Sequence, residues 1–236
     1  MTELLFRDAY ARACETEVVA VTPEGGIVPA ASVFYPTGGG QPGDRGTLSW
    51  DGGAADIATT VKAEGGLALV LAEGSDAPAV GTKIKMELDW DTRHRFMRVH
   101  TALHLLSVVI PLPVTGGSIG ADKGRLDFDM PDALEDKDAL ERQLAEIIAR
   151  DLPVTEDWIT DAELAANPGL VKTMSVKPPT GQGYVRLIRI GAGEDQVDLQ
   201  PCGGTHVART GEIGPVRLGK VENKGRQNRR VSLHLI

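Results

Sequence analysis

The hydrophobic pattern of the chain changes near residue 90, and this change constrains the fold more than any other sequence feature. Before it, short apolar segments separated by glycines read CETEVVAV, IVPAASVF, GTLSW, DIATTV, LALVLAE and TKIKMELD. Such segments at near-regular spacing predict a small β-barrel or sandwich. After it, apolar residues three and four apart in 91–110 predict a helix that stops at Pro111, with Asp91 as N-cap. We therefore divide the chain into domains 1–90 and 91–236.

The second half mixes strand and helix signals without regular β–α–β alternation. A long helix is predicted to open at Pro131, and DAELAAN predicts a short helix ended by Pro168. The strand candidates are VTGGSIG, RLDFDM, PVTEDWI, YVRLIRIG, EDQVDLQ, GEIGPVRLGKVEN and RRVSLHLI. The predicted fold class is α+β, with a small N-terminal β-barrel followed by a mostly antiparallel sheet with flanking helices.

Composition and charge exclude several classes of protein. With 236 residues, 42% hydrophobic and 25% charged, the chain predicts a folded protein rather than a disordered one. The net charge of −8 argues against a protein that coats nucleic acid nonspecifically, although it allows a local basic patch. We find no signal peptide and no apolar run long enough to span a bilayer. The sequence thus predicts a cytoplasmic protein with neither a membrane nor DNA as partner.

Histidine and cysteine residues form two pairs with the same spacing. The chain has five histidines and two cysteines, and four of these seven residues are His100, His104, Cys202 and His206. A spacing of four puts both imidazoles of the first pair on one face of the predicted helix, and two glycines lie between the residues of the second. Either pair alone is more often packing or solvent-exposed than metal-binding. Together they predict one zinc ion per chain, held by a set of imidazoles and a thiolate.

The residues inside these pairs exclude two kinds of zinc enzyme. The sequence HTALH lacks the glutamate that serves as general base in H-E-x-x-H metallopeptidases. The sequence PCGGTH also differs from the H-x-E and P-C-x-x-C signature of nucleobase deaminases. Peptidase and deaminase activities are therefore disfavoured.

Several longer motifs resemble one family, the AlaX-type trans-editing proteins, which are free-standing relatives of the editing domain of alanyl-tRNA synthetase. The resemblance rests on HTALHLL, PCGGTHV, FYPTGGGQPGDRG, VTGGSIGADKGRLDFDM and GKVENKGRQNRRVSL. The glycine-rich motif is similar to that of the medium-length, two-domain members. The resemblance implies a zinc-dependent deacylase that hydrolyses mischarged tRNA for alanine, chiefly the seryl and in some members the glycyl ester.

Four protein ligands would close a tetrahedral zinc site, whereas catalysis on an ester calls for an open position. Two arrangements remain open at this stage. One ligand is loose or outer-sphere, or zinc mainly orients the substrate while a neighbouring group activates water.

Further residues are candidates for substrate contact. In the glycine-rich loop, Thr37 and Gln41 could hydrogen-bond the substrate. The amides of Gly38, Gly39 and Gly40 could donate to an oxyanion or a terminal phosphate. The alternative is that this loop is a simple turn. Asp127 is a candidate partner for a ligand histidine, with a solvated strand carboxylate as the alternative. Thr205 could contact a serine hydroxyl or cap its own turn.

Basic residues cluster near the C-terminus and at the start of the predicted helix. A local positive field could hold an acceptor stem despite the negative total charge, whereas the alternative is an ordinary solvated face. The predicted tRNA-binding residues are Arg93, Lys220, Lys224, Arg226, Arg229 and Arg230.

Two other functions fit the same residues. The first is a non-catalytic RNA- or protein-binding module with a structural zinc, which only a turnover assay distinguishes from an enzyme. The second is a metallohydrolase of small esters, which would need no RNA-binding face.

Overall fold

The computed structural model describes residues 1–132, 136–173 and 183–236. The chain divides into two compact units, residues 1–94 and 95–236. Antiparallel strands dominate both units, and three α-helices occur among the described residues. The predicted α+β class is therefore confirmed.

The first unit is a closed barrel of six strands. Val18, Leu48 and Met86 are among the buried side chains that fill it, and each comes from a different strand. Polar residues alternate with buried ones along the last strand, as expected where one face is solvated. In barrel order the strands are β2 (Ala13–Val21), β3 (Ile27–Pro29), β7 (Gly66–Leu71), β6 (Gly53–Ala63), β5 (Gly46–Trp50) and β8 (Lys83–Leu88).

One predicted barrel strand is interrupted. The segment IVPAASVF forms β3 and then a separate strand, β4 (Ala31–Ser32), which pairs in parallel with β1 (Glu3–Leu4) outside the barrel. The break follows Pro29, which has no backbone N–H to donate to a continuous ladder.

The long helix α1 (Trp90–Val109) carries the first histidine pair. The prediction of Asp91 as N-cap is wrong, since this residue lies within the first turn. Asp89 occupies the capping position, where its Oδ1 accepts a hydrogen bond from the Thr92 amide at 3.1 Å. The helix therefore begins at Trp90, one residue earlier than the sequence predicts.

The second unit contains two antiparallel sheets. The four-stranded sheet has the order β14-β15-β10-β9, and the three-stranded sheet has the order β11-β12-β13. Their strands are β9 (Val114–Ile119), β10 (Lys123–Asp129), β11 (Val154–Thr160), β12 (Tyr184–Ile190), β13 (Asp198–Pro201), β14 (Val216–Asn223) and β15 (Asn228–Leu235).

The remaining helices are α2 (Lys137–Ala149) and α3 (Asp161–Ala166). The prediction that the long second helix opens at Pro131 is wrong. Asp136 is its N-cap and accepts a hydrogen bond from the Ala139 amide at 2.8 Å, while residues 133–135 lie outside the described part of the chain. No helix in the described ranges is long and apolar enough to cross a membrane.

Candidate metal centre

Four side chains of the second unit converge on one point. His100 and His104 lie on α1, and Cys202 and His206 lie in the loop after β13. One ligand atom from each residue lies within 4.8 Å of the others. The Cys202 Sγ is 3.4 Å from His100 Nε2 and 3.3 Å from His206 Nε2. Both pairs found in the sequence therefore contribute to a single cluster that could hold a metal ion.

The loop that carries Cys202 is held by an arginine of the neighbouring strand. Arg186 Nη1 donates to the carbonyl oxygens of Cys202 at 3.1 Å and Gly204 at 2.7 Å. In return, the Cys202 amide donates to the Arg186 carbonyl at 3.2 Å. These bonds fix the backbone on both sides of Gly203, between the two ligand positions. Arg186 was missed in the sequence because a basic residue in a strand pattern indicates no partner.

Hydrogen bonds outside the cluster orient two of the imidazoles. His104 Nδ1 lies 3.0 Å from Asp198 Oδ2, so its Nδ1–H donates to the carboxylate and Nε2 keeps its lone pair. The Thr101 hydroxyl donates to the Met97 carbonyl at 2.9 Å, so it accepts from His206 Nδ1 at 3.2 Å. With Nδ1 engaged in this way, the neutral form of either histidine has a bare Nε2, the atom that a metal would require.

Asp198 is the carboxylate that supports the cluster, and the prediction of Asp127 in this role is wrong. Asp198 is 3% exposed and also accepts from Lys172 Nζ at 2.6 Å and Gln200 Nε2 at 2.7 Å. Asp127 instead accepts hydrogen bonds from two arginines of its own sheet, at 2.6–3.0 Å. The register of β13, which places Asp198 beside α1, could not be read from the sequence.

The close packing of these groups changes their ionisation. Burial alone would raise the pKa of the Cys202 thiol, but the His100 and His206 imidazoles outweigh it and lower this pKa well below its usual value. Burial and the neighbouring His100 lower the pKa of His206 well below its usual value. A thiolate and a neutral imidazole are the forms that bind metals.

His104 differs from its neighbours. Burial opposes its protonation, but the hydrogen bonds and charges of Asp198 and Cys202 raise its pKa to about 9. A metal bound to Nε2 would therefore displace a proton at neutral pH.

The donor set fits zinc. Three imidazole nitrogens and one thiolate are borderline-soft ligands, and two of the imidazoles already have the outer partners that zinc-binding histidines use.

The glycine-rich loop of the first unit is built around a tight turn. Gly38 and Gln41 exchange two backbone hydrogen bonds, at 2.9 and 3.0 Å. Gly39 and Gly40 between them have φ values of 58° and 83°, as a two-residue type I′ turn requires. The suggestion that the Gly38 amide serves an oxyanion is wrong because this amide is bound to Gln41. The turn interpretation therefore explains why Gly39 and Gly40, two of the three consecutive glycines, are glycine.

The predicted substrate contacts of this loop have partners within the barrel unit. The Thr37 hydroxyl donates to the Thr60 carbonyl at 3.2 Å and accepts from the Gly43 amide at 2.9 Å. A Cβ on Gly43 would lie 2.0 Å from the Thr60 carbonyl oxygen, so this position has no room for a side chain. Gln41 is almost fully buried. In the second unit, Thr205 is also buried, beside His206.

Arg93 is not a surface residue, so its prediction as a tRNA contact is wrong. Its side chain is fully buried and forms an ion pair with Asp44 of the glycine-rich loop. It also donates to the carbonyls of Ala9 at 3.1 Å and Val33 at 2.8 Å. These bonds satisfy the guanidinium within the first unit, and the charge pattern of the sequence could not separate such an arginine from an exposed one.

The other predicted RNA contacts lie on the β14–β15 hairpin and differ in their surroundings. Lys220, Lys224 and Arg226 are exposed, although Lys224 forms an ion pair with Glu222. Arg229 donates to two backbone carbonyls, and Arg230 pairs with Asp127. The hairpin tip therefore presents the more accessible positive charge.

Comparison with known proteins agrees with this geometry. Residues 185–232 match the family described as the second additional domain of threonyl- and alanyl-tRNA synthetases, and residues 8–92 match class II (A) tRNA synthetases. The alanyl-tRNA editing protein AlaX-M of Methanosarcina acetivorans is 33% identical over the full length of both chains. This chain belongs to the AlaX-M family of alanyl-tRNA editing proteins.

Two further relatives show the extent of this likeness. The AlaX-M protein of Methanosarcina barkeri is 34% identical, again over both full chains. The alanine–tRNA ligase of Pyrobaculum calidifontis is 34% identical over 93% of this chain, which corresponds to 25% of the ligase. The AlaX-M likeness thus extends across both structural units, whereas the ligase carries a related segment within a longer chain.

Proposed function

We propose that this chain hydrolyses the aminoacyl ester of mischarged tRNA for alanine in trans, with the seryl ester as chief substrate and the glycyl ester as second. The observation that carries the proposal is the convergence of His100, His104, Cys202 and His206 in a chain that matches AlaX-M editing proteins along its whole length. A partner that is an aminoacyl-tRNA requires both an ester-cleaving centre and a surface for phosphates.

The four clustered residues would hold zinc. When bound, zinc supplies a Lewis acid that can stabilise the negative charge developing on an ester carbonyl oxygen. Asp198 binds Nδ1 of His104 and Thr101 binds Nδ1 of His206, which turns the Nε2 atom of each ring towards the metal position. Arg186 keeps the loop between Cys202 and Gly204 in place. These outer residues pre-organise the centre, so that little free energy is spent ordering it when substrate arrives.

The exposed basic residues of the β14–β15 hairpin would contact tRNA phosphates. Lys220, Lys224 and Arg226 supply local positive charge that the total of −8 does not cancel at short range. Arg229 and Arg230 would contribute less, since their guanidinium groups are already bonded to protein acceptors. Arg93 has no part in this surface.

The choice between serine and alanine rests on one hydroxyl group. A synthetase pocket made for alanine cannot strongly reject a slightly larger isostere, so a second site is needed. A second site that hydrogen-bonds the seryl hydroxyl leaves a buried polar group unpaired when alanine is bound, which allows roughly hundredfold discrimination. Thr205 is the candidate nearest to a ligand in sequence, because it precedes His206.

A deacylation assay tests the proposal. Seryl-, glycyl- and alanyl-tRNA for alanine are compared with and without a chelator, using the wild type, Cys202→Ala and the control Cys14→Ala. We expect rapid loss of the seryl ester, slower loss of the glycyl ester and little loss of the alanyl ester. The chelator should lower the activity of the wild type. Of the two variants, only Cys202→Ala should be less active than the wild type.

Three results would contradict the proposal. Equal rates on seryl and alanyl esters would show that the hydroxyl is not read. A stable metal without turnover would favour a structural zinc module, and efficient cleavage of small esters without dependence on tRNA would favour a different metallohydrolase.

A further inference from the structure

Two aromatic side chains lie exposed on the three-stranded sheet of the second unit. Trp158 on β11 is 46% exposed and Tyr184 on β12 is 62% exposed. The other exposed large hydrophobic residues among those the structure describes are aliphatic: Met1, Val19, Val21, Val80, Leu112 and Ile236. Large rings are costly to leave in water, so a pair of them on one sheet indicates a binding surface.

Strand register places Trp158 in the same row as a candidate metal ligand. Trp158 on β11 lies opposite Arg186 on β12. On the other side of β12, Leu187 lies opposite Pro201 of β13. The next pair in this register is Arg186 and Cys202, which are joined by a backbone hydrogen bond. Two inter-strand spacings therefore separate Trp158 from Cys202, about 10 Å.

The two rings share the sheet face that supports the metal cluster. Tyr184 is two residues from Arg186, so both side chains leave the strand on the same side. The face continues through Ile188, which lies opposite Gln200. Gln200 donates to Asp198, the acceptor of His104. One sheet face thus carries the aromatic pair at one end and the outer partners of the cluster at the other.

We propose that Trp158 and Tyr184 form a stacking platform for a base of the single-stranded 3′ end of tRNA. This inference rests on the proposed function. Single-stranded bases stack on aromatic side chains, and this interaction tolerates any base. The ester to be cleaved is attached to the terminal ribose, which fixes the terminal base within one nucleotide of the reacting carbonyl. A platform about 10 Å from the cluster suits that base.

Arg186 links the platform to the cluster. It lies between Trp158 and Cys202 in the row, and its guanidinium holds the carbonyls of Cys202 and Gly204. Movement of the strand that carries Tyr184 would therefore move the ligand loop as well. Two rings alone are far smaller than the roughly 800 Å² that each partner contributes to a stable protein interface, which favours a nucleotide over a protein as the occupant.

The first experiment measures binding without chemistry. Dissociation constants are determined for uncharged tRNA for alanine, with an intact or an abasic 3′-terminal nucleotide, using wild type, Trp158→Ala and Tyr184→Ala. We expect each substitution to weaken binding of intact tRNA about tenfold, within the range measured for base–aromatic stacking. Removal of the base should weaken binding to wild type by a similar factor and have little effect on the variants.

Conservative and distant substitutions complete this experiment. Trp158→Phe and Tyr184→Phe keep a ring and should bind intact tRNA within about threefold of wild type, whereas Val80→Ala, an exposed aliphatic residue in the barrel unit, should bind as wild type does. Equal losses on removing the base in wild type and in the alanine variants would overturn the platform. A change of molecular mass in solution caused by Trp158→Ala would also overturn it, in favour of contact between protein chains.

Kinetics separate this inference from the proposed function. With seryl-tRNA, the alanine variants should raise KM about tenfold and change kcat less than twofold. If wild type binds tRNA through the terminal base but cleaves no ester, the proposed function fails and the platform stands. If wild type cleaves the ester and the variants keep its KM, the platform fails and the proposed function stands.

Discussion

Replacement of Asp198 by asparagine removes the negative charge behind the candidate metal centre while keeping nearly the same shape. The carboxylate is buried and bonded to His104, Lys172 and Gln200 at 2.6–3.0 Å. An amide can still accept one hydrogen bond, but it no longer favours a bare, electron-rich Nε2 on His104. Loss of such an outer partner lowers metal affinity about 10- to 100-fold. This range corresponds to about 1.4–2.8 kcal/mol.

The measurement is a competition between the protein and a chromophoric chelator for zinc at pH 7.5. Asp157→Asn is the matched control, because Asp157 pairs with Arg189 on the same sheet but from the opposite face to Asp198. We expect Asp198→Asn to lose at least tenfold in zinc affinity, while Asp157→Asn stays within twofold of wild type. Thermal unfolding of both variants without metal reports any general loss of stability.

Wild-type zinc affinity in a folded Asp198→Asn protein would refute the reasoning. It would show either that His104 does not bind the metal or that its tautomer is set by another group. Equal losses in both variants would assign the effect to the stability of the sheet rather than to the orientation of His104.

Three further predictions follow from other parts of the molecule. Metal analysis should find one zinc per chain in wild type and Cys14→Ala and much less in Cys202→Ala, because only Cys202 lies in the cluster. Arg226→Ala should reduce the slope of log affinity for tRNA against log salt by about one unit, as expected for one lost phosphate contact, and an unchanged slope would place the RNA elsewhere. Burial alone would raise the pKa of Asp127, but the hydrogen bonds and charges of Arg230 and Arg125 have the larger effect and hold this pKa below its usual value. Its ion pairs therefore stabilise the fold above about pH 4 and are lost as the pH falls through the folded pKa, so denaturant titrations should show Asp127→Asn less stable than wild type at pH 7 and closer to it at pH 3.

The sequence predicted most of the strands and helices because the spacing of apolar residues within each element indicates its type. Alternating apolar residues mark β5, β6 and β8, and the spacing of three and four in α1 marks the helix within one residue of its observed start. One error occurs where two neighbouring residues compete for one role. Asp89 and Asp91 are both good N-caps, and only the structure shows that the first of them accepts from the Thr92 amide.

The site was predicted to the extent that its residues have unusual chemistry. Histidines and cysteines are few, so the pairs 100/104 and 202/206 stand out, and the structure brings all four together. Their supporting residues are ordinary aspartates, lysines and arginines. Asp198 was missed and Asp127 chosen in its place because strand register decides which carboxylate lies beside α1. Arg93 was misread because a buried ion pair with Asp44 has no signature in local sequence.

The helix that carries the first two ligands does not belong to one unit. α1 begins at Trp90, whereas the division between the compact units falls after His94. A gene fragment starting at residue 95 would lose the first turn of this helix together with its Asp89 cap, at a cost of about 1 kcal/mol for the cap alone. A fragment starting at residue 89 would keep the cap, but it would take Arg93 from Asp44 and leave a buried carboxylate uncompensated in the other fragment. When barrels are exchanged between relatives by recombination, a crossover after α1, which takes the cap, Arg93 and the whole helix from one parent, should therefore be tolerated better than one at the boundary that compactness alone suggests.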